Sequence, residues 1–201
     1  MVSGPRPSSL LSAKLLGYLA AIITVSIWAA FLVGTRFAIT KNFSVEEILI
    51  LRLLPAAIIM APLMLQLGIL PPGNNLITRL IFALGASALF PWVLSVGLYY
   101  SPASNAGALA PGTLPFWTAL IAYLIVHEKP EFSRQIGLFI ILFGALLIGT
   151  LKLDADIANL TWVGNILFLL GAALWAIYSV LFRQSGIAPL HGLVIGLFWG
   201  S

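Results

Sequence analysis

Long apolar runs separated by short polar clusters set the pattern of this chain. Residues 15–35 carry no charge, and residues 48–70 carry one, Arg52, near their start. From residue 80 to residue 126 the chain runs for 47 positions without a charge. As helix that stretch would extend ~70 Å, more than twice the hydrocarbon core of a bilayer. It must hold two spans. The break falls at Tyr99-Tyr100-Ser101-Pro102-Ala103-Ser104-Asn105, where interface aromatics meet turn formers and a proline. A fifth span covers 135–151, a sixth covers 162–182, and a seventh begins near His191. The pattern predicts an all-α integral membrane protein, a multi-pass helical bundle with about six and a half transmembrane helices.

Composition excludes the soluble alternative. Apolar residues make up 61% of the 201 positions and charged residues 8%, against about 25% charged in ordinary soluble domains. Ten basic and six acidic residues give a net charge of +4, but the basic residues stand singly between apolar runs. That distribution reports membrane orientation and gives no reason to expect a nucleic-acid partner. The first run follows Lys14 and exceeds the length of a secretory h-region, so it reads as a retained span. A cytoplasmic N-terminus puts Arg6, Lys14, Arg79, Lys129, Arg134 and Arg183 inside and Arg36, Lys41 and Lys152 outside, the favoured balance. The acidic Glu46, Glu47, Asp154 and Asp156 then fall outside. With no cysteine and two histidines, neither a metal site nor a cofactor is expected.

The chain also repeats itself. A shift of 147 lays Gly17 on Gly164, Trp28 on Trp175, Ala29 on Ala176, Phe31 on Tyr178, Val33 on Val180 and Arg36 on Arg183. Five span positions separate the copies, an odd number, so the motif crosses the bilayer in opposite directions, as in inverted-repeat transporters. The segments are then a tail at 1–14, a first five-helix repeat at 15–151, an outer loop at 152–161 and the start of a second repeat at 162–201. Two units of 147 need about 294 residues, so the chain reads as a fragment or a prematurely ended frame. Its second half would come from elsewhere, or from antiparallel self-association.

Several motifs, in order, carry a family resemblance: Trp28 in span one, Ile48-Leu49-Ile50-Leu51-Arg52 opening span two, Gly112-Thr113-Leu114-Pro115-Phe116-Trp117-Thr118-Ala119-Leu120 in span four, Glu128 after it, and Gly137 with Gly144 in span five. Together they resemble the EamA-type domain of the drug/metabolite transporter superfamily. The resemblance implies ten helices in two inverted five-helix repeats and both termini in the cytoplasm. It also implies a cell-membrane location, here the bacterial inner membrane, and transport of small metabolites, often export. Trp28 is followed by Ala29 where that family commonly has glycine.

Arg52 is the most informative candidate, because a charge within a span is costly and no Asp or Glu lies in any span. It either snorkels to lipid headgroups or meets an anionic group of a solute. In span four, Asn105, Pro111 and Thr113 form a polar, broken stripe. Pro111 and Pro115 leave the carbonyls of Gly107 and Pro111 without their helical donors. Those carbonyls are either potential ligands or the mark of a packing kink. Trp28, Trp92, Trp117, Trp175 and Tyr178 are candidates to line a cavity, with lipid contact as the alternative for each. Glu128, beside His127 and Lys129, belongs to a solvated helix end or to a cavity mouth.

Enzymatic readings find no support. Gly85-Ala86-Ser87-Ala88-Leu89 lacks the second glycine of a nucleophile elbow, and phosphate loops and metal-ligand spacings are absent. The expectation is a secondary transporter, an exporter of small metabolites such as amino acids working by alternating access. Its partners would be a small-molecule substrate and the lipid bilayer. A non-transporting accessory protein, or an inactive fragment of a transporter, is the alternative.

Overall fold

The computed structural model describes residues 7–71, 73, 76–150 and 160–200. The tail through Arg6 and the loop bearing Lys152, Asp154 and Asp156 lie outside the described residues. Helices account for almost everything described: α1 (Pro7–Thr40), α2 (Val45–Leu67), α3 (Leu76–Tyr100), α4 (Ala103–Val126), α5 (Phe132–Thr150), α6 (Thr161–Ser185) and α7 (Pro189–Gly200). Five of them, α1 to α4 and α6, are long and apolar enough to cross a membrane, and α5 and α7 are shorter apolar helices.

The boundaries show what charge spacing alone misplaces. α2 begins at Val45, ahead of the charge-free run at 48, because Ser44 builds a capping box. The Ser44 hydroxyl accepts from the Glu47 N–H at 3.1 Å and the Glu47 carboxylate accepts from the Ser44 N–H at 2.8 Å. Glu46 and Glu47 thus sit in the first turn, where they favour the positive helix end. Gly68, at φ 82°, ends the helix where other residues would be strained. In α3 the basic Arg79 belongs to the first turn and donates to the Gly73 carbonyl at 3.1 Å. The break in the long run narrows to Ser101-Pro102, where the Ser101 N–H still bonds to the Gly97 carbonyl at 2.9 Å and Pro102 turns extended.

α6 is the central helix, packed along α3 and α4. Phe168 lies among Leu94, Leu98, Ala106 and Leu109, all buried. Close approach depends on glycine: a Cβ on Gly164 would sit 2.5 Å from the Ser101 Cβ and 2.6 Å from the Gly97 carbonyl oxygen. Small residues at such contacts are what allow helix backbones to meet in lipid. α1 and α2 are peripheral, with α2 burying only Leu53 among its described residues. α5 packs on α4, and α7 packs on α2 and α3. The Trp199 indole N–H donates to the Ile69 carbonyl at 2.8 Å.

Polar ties join helix ends that alternating directions bring to the same side. At the end of α1, Arg36 donates to the carbonyls of Leu98 and Tyr99 at the end of α3. At the end of α6, Arg183 pairs with Glu128, just past α4, with 2.9 and 2.8 Å to the two carboxylate oxygens.

Candidate functional site

A cavity of about 410 Å³ opens between α1, α2, α3, α6 and α7. Its inner wall is a run of aromatic rings. Trp28 of α1 meets Trp175 of α6 edge to face, with centroids 5.7 Å apart, and both touch Phe90 of α3, at 5.9 and 4.8 Å. The run continues along α6 from Trp175 to Tyr178 at 5.9 Å, then to Phe182, stacked on Tyr178 at 5.7 Å. Turns of α6 set this spacing, since positions three and four apart share a helix face.

A π-helical turn at Gly85–Leu89 shapes the α3 wall, and its Ala86 and Ser87 line the cavity. Its cause lies just downstream. Pro91 has no N–H to offer the Ser87 carbonyl four residues earlier, and its ring crowds that carbonyl. The ladder lengthens instead, with the Phe90 N–H bonding to Gly85, five residues back. Such bulges recur at functional sites. On α7, Gly196 lines the cavity, and a Cβ there would come within 3.2 Å of the Ser87 hydroxyl.

Arg52 of α2 is the charged residue of the lining. Its guanidinium carbon lies 4.0 Å from the centroid of the Phe31 ring. Arg52 stays exposed while Phe31 and Trp28 are half-buried. Among the described residues no carboxylate lines the cavity. The wall therefore offers one guanidinium, the hydroxyls of Ser87 and Tyr178 and a broad aromatic surface, a composition typical of a small-molecule pocket.

Of the residues singled out from the sequence, the structure brings Arg52, Trp28, Trp175 and Tyr178 together around this space. Five lie elsewhere. Trp92 is exposed on α3, its indole N–H 3.4 Å from the Glu46 carboxylate. Asn105 is buried at the start of α4, where its amide donates to the Asn165 side-chain oxygen at 3.2 Å; the same oxygen accepts from the Ser101 hydroxyl at 2.8 Å. Thr113 is buried and donates back to the Leu109 carbonyl at 2.5 Å. Pro111 is exposed on the open side of α4. Trp117 is half-buried, edge to face with Phe116 at 5.5 Å.

Phe31, Ser87, Phe90, Phe182 and Gly196 also line the cavity and were not among those candidates. For Phe31 a signal existed, since the 147-residue shift pairs it with Tyr178. Ser87 and Phe90 gave none, because the π-helical turn that presents them is invisible to helical periodicity.

Comparison with known proteins identifies a transporter family. Residues 15–150 match the EamA-like transporter family, a stretch that ends with the last residue of α5. Over 112 residues the chain is 31% identical to YyaM, an uncharacterised transporter of Bacillus subtilis (strain 168). The aligned part is 55% of this chain and 35% of that protein, so the match spans about a third of the relative's length. No solved structure matches the chain. With the family match covering well over half of the sequence, the chain belongs to the EamA-like transporter family.

Proposed function

We propose that the protein is a secondary transporter, an exporter of small metabolites such as amino acids, and that the cavity between α1, α2, α3, α6 and α7 is where the solute binds. The observation that carries this reading is a guanidinium and an aromatic wall facing one space in an otherwise apolar bundle. A charge at that depth is costly in lipid, and a solute carboxylate or phosphate offsets the cost through paired, charge-assisted hydrogen bonds. In this reading α1 and α6, whose counterpart tryptophans touch, rock against each other so that the cavity opens to alternate sides. The basic residues of the short loops support a cytoplasmic N-terminus. Among the described residues no carboxylate lines the cavity, so this reading assigns no proton-coupling group to it.

The test is solute flux in sealed vesicles containing the purified protein and preloaded with labelled amino acids. Flux above protein-free vesicles is expected once a second repeat completes the bundle, supplied by the remaining half or by an antiparallel second copy, and Ala56→Trp, which fills the cavity from α2, should abolish it while the protein remains inserted. Absence of flux across a panel of amino acids and related carboxylates would favour an accessory membrane role. Flux unchanged by the filled cavity would place the solute elsewhere.

A further inference from the structure

The cavity is chemically one-ended. Aligning the start of α7 with that of α2, Ala188-Pro189 against Ser44-Val45, puts Gly196 where Arg52 stands. Both line the cavity. One of these counterpart positions therefore offers a guanidinium and the other no side chain at all. Away from Arg52 the wall is aromatic, from Trp28, Phe90 and Trp175 on to Tyr178 and Phe182.

Phe31 sets what Arg52 can do. With its guanidinium carbon 4.0 Å from the ring centroid, Arg52 is held over the negative face of the ring. The N–H donors of a guanidinium lie in its own plane, so those that point away from the ring are left for a planar oxyanion. The same contact bars a competing cation in two ways. Arg52 already occupies the face of Phe31, and its charge repels a second positive group at a site where no carboxylate of the described lining compensates.

Resting on the transport reading above, and narrowing its solutes from amino acids to related carboxylates without an ammonium group, we propose that Phe31 is a specificity-determining residue that positions Arg52, so that the cavity takes an amphipathic monoanion, a single carboxylate-type group on an apolar body, and rejects the matching amine. The anionic end lies at Arg52 and the apolar body along the rings of α1, α3 and α6. The volume of about 410 Å³ accommodates a solute of that kind.

The experiment measures binding of three probes of nearly equal size to the purified full chain in detergent, by calorimetry. The probes are 3-phenylpropionate, 3-phenylpropanamide and phenethylammonium. The carboxylate should bind roughly tenfold or more tighter than the amide, as expected for a charged hydrogen bond, and the ammonium should bind weakest. Arg52→Gln should remove the preference. Phe31→Leu should reduce it roughly threefold or more, the scale of a partly desolvated cation–π contact, while Phe31→Tyr, which keeps the ring, should retain it. Phe31→Met provides a second ringless variant should Phe31→Leu not fold. Equal binding of carboxylate and amide by the unaltered protein would overturn the proposal, as would an undiminished preference in a folded ringless variant. Binding is read here without flux, so carboxylate-selective binding with no vesicle flux overturns transport alone, and flux without carboxylate preference overturns this proposal alone.

Discussion

Trp28 and Trp175, 147 positions apart in sequence, meet edge to face with ring centroids 5.7 Å apart. They are counterparts under the shift that lays α1 on α6, and a residue touches its own counterpart only close to an axis of symmetry. Phe31 and Tyr178, the next such pair, line the same cavity. A pseudo-two-fold axis between the two tryptophans would account for both facts. An edge-to-face pair is worth about 0.5–1.5 kcal/mol beyond its buried area. Trp28→Leu and Trp175→Leu should therefore be non-additive, with a coupling of that size in a double-mutant cycle on unfolding free energy in detergent. Strict additivity would mean that the contact carries no energy.

The buried cluster of Ser101, Asn105 and Asn165 is predicted to stabilise the bundle without touching the solute. Asn165→Leu strands two donors, the Ser101 hydroxyl and the Asn105 amide, and leaving such groups buried without partners costs about 1–3 kcal/mol each. Gly164→Val, at the closest approach of α3 and α6, should cost a similar ~1–3 kcal/mol through overpacking. Thermal unfolding in detergent should show lowered midpoints for both, with probe affinity per folded molecule unchanged.

Arg183 and Glu128 make a bidentate pair, yet their side chains are 57% and 53% exposed. Exposed pairs contribute about 0–1 kcal/mol and weaken with salt. Glu128→Gln should accordingly lower the unfolding midpoint only slightly, and less at 1 M salt than at low salt, while the reversed pair Glu128→Arg with Arg183→Glu should recover the loss. A large, salt-independent drop would show that Glu128 does more than pair with Arg183.

Orientation is open to direct measurement, because the chain contains no cysteine. With a cytoplasmic N-terminus, Lys41→Cys should react with a membrane-impermeant thiol reagent in intact cells and Lys129→Cys only after lysis. The opposite pattern would invert the topology.

Much of the fold is legible in the sequence because lipid leaves few options for a backbone: charge-free runs must be helices, and a 47-residue run must break. Helix ends were less legible. Glu46 and Glu47 mark the edge of an uncharged run, but the Ser44 capping box draws them into α2. The site was readable where physics isolates a residue. Arg52 stands out as a charge inside a span, and Trp28 and Trp175 stand out through the repeat. Asn105 and Thr113 are polar within a span, which marks them as candidate cavity groups, yet each finds its partner within the packed helices, Asn165 for one and the Leu109 carbonyl for the other. Which way a polar side chain turns depends on its neighbours across the bundle, and a single helix cannot reveal them. The repeat marks Phe31 as the counterpart of Tyr178, but its contact with Arg52, on another helix, shows only in the folded bundle.

The most direct test of the central claim, that Arg52 meets the solute in this cavity, is carboxylate transport by Arg52→Lys in vesicles at equal protein content. Lysine keeps the charge and snorkels to lipid as well as arginine does, but it cannot copy the planar fork. The account predicts that kcat/KM falls by roughly 10- to 150-fold, the equivalent of ~1.5–3 kcal/mol for a hydrogen bond to a charged group, with insertion unchanged. Transport kinetics identical to those of the unaltered protein would contradict it and leave Arg52 as an anchor to the lipid surface.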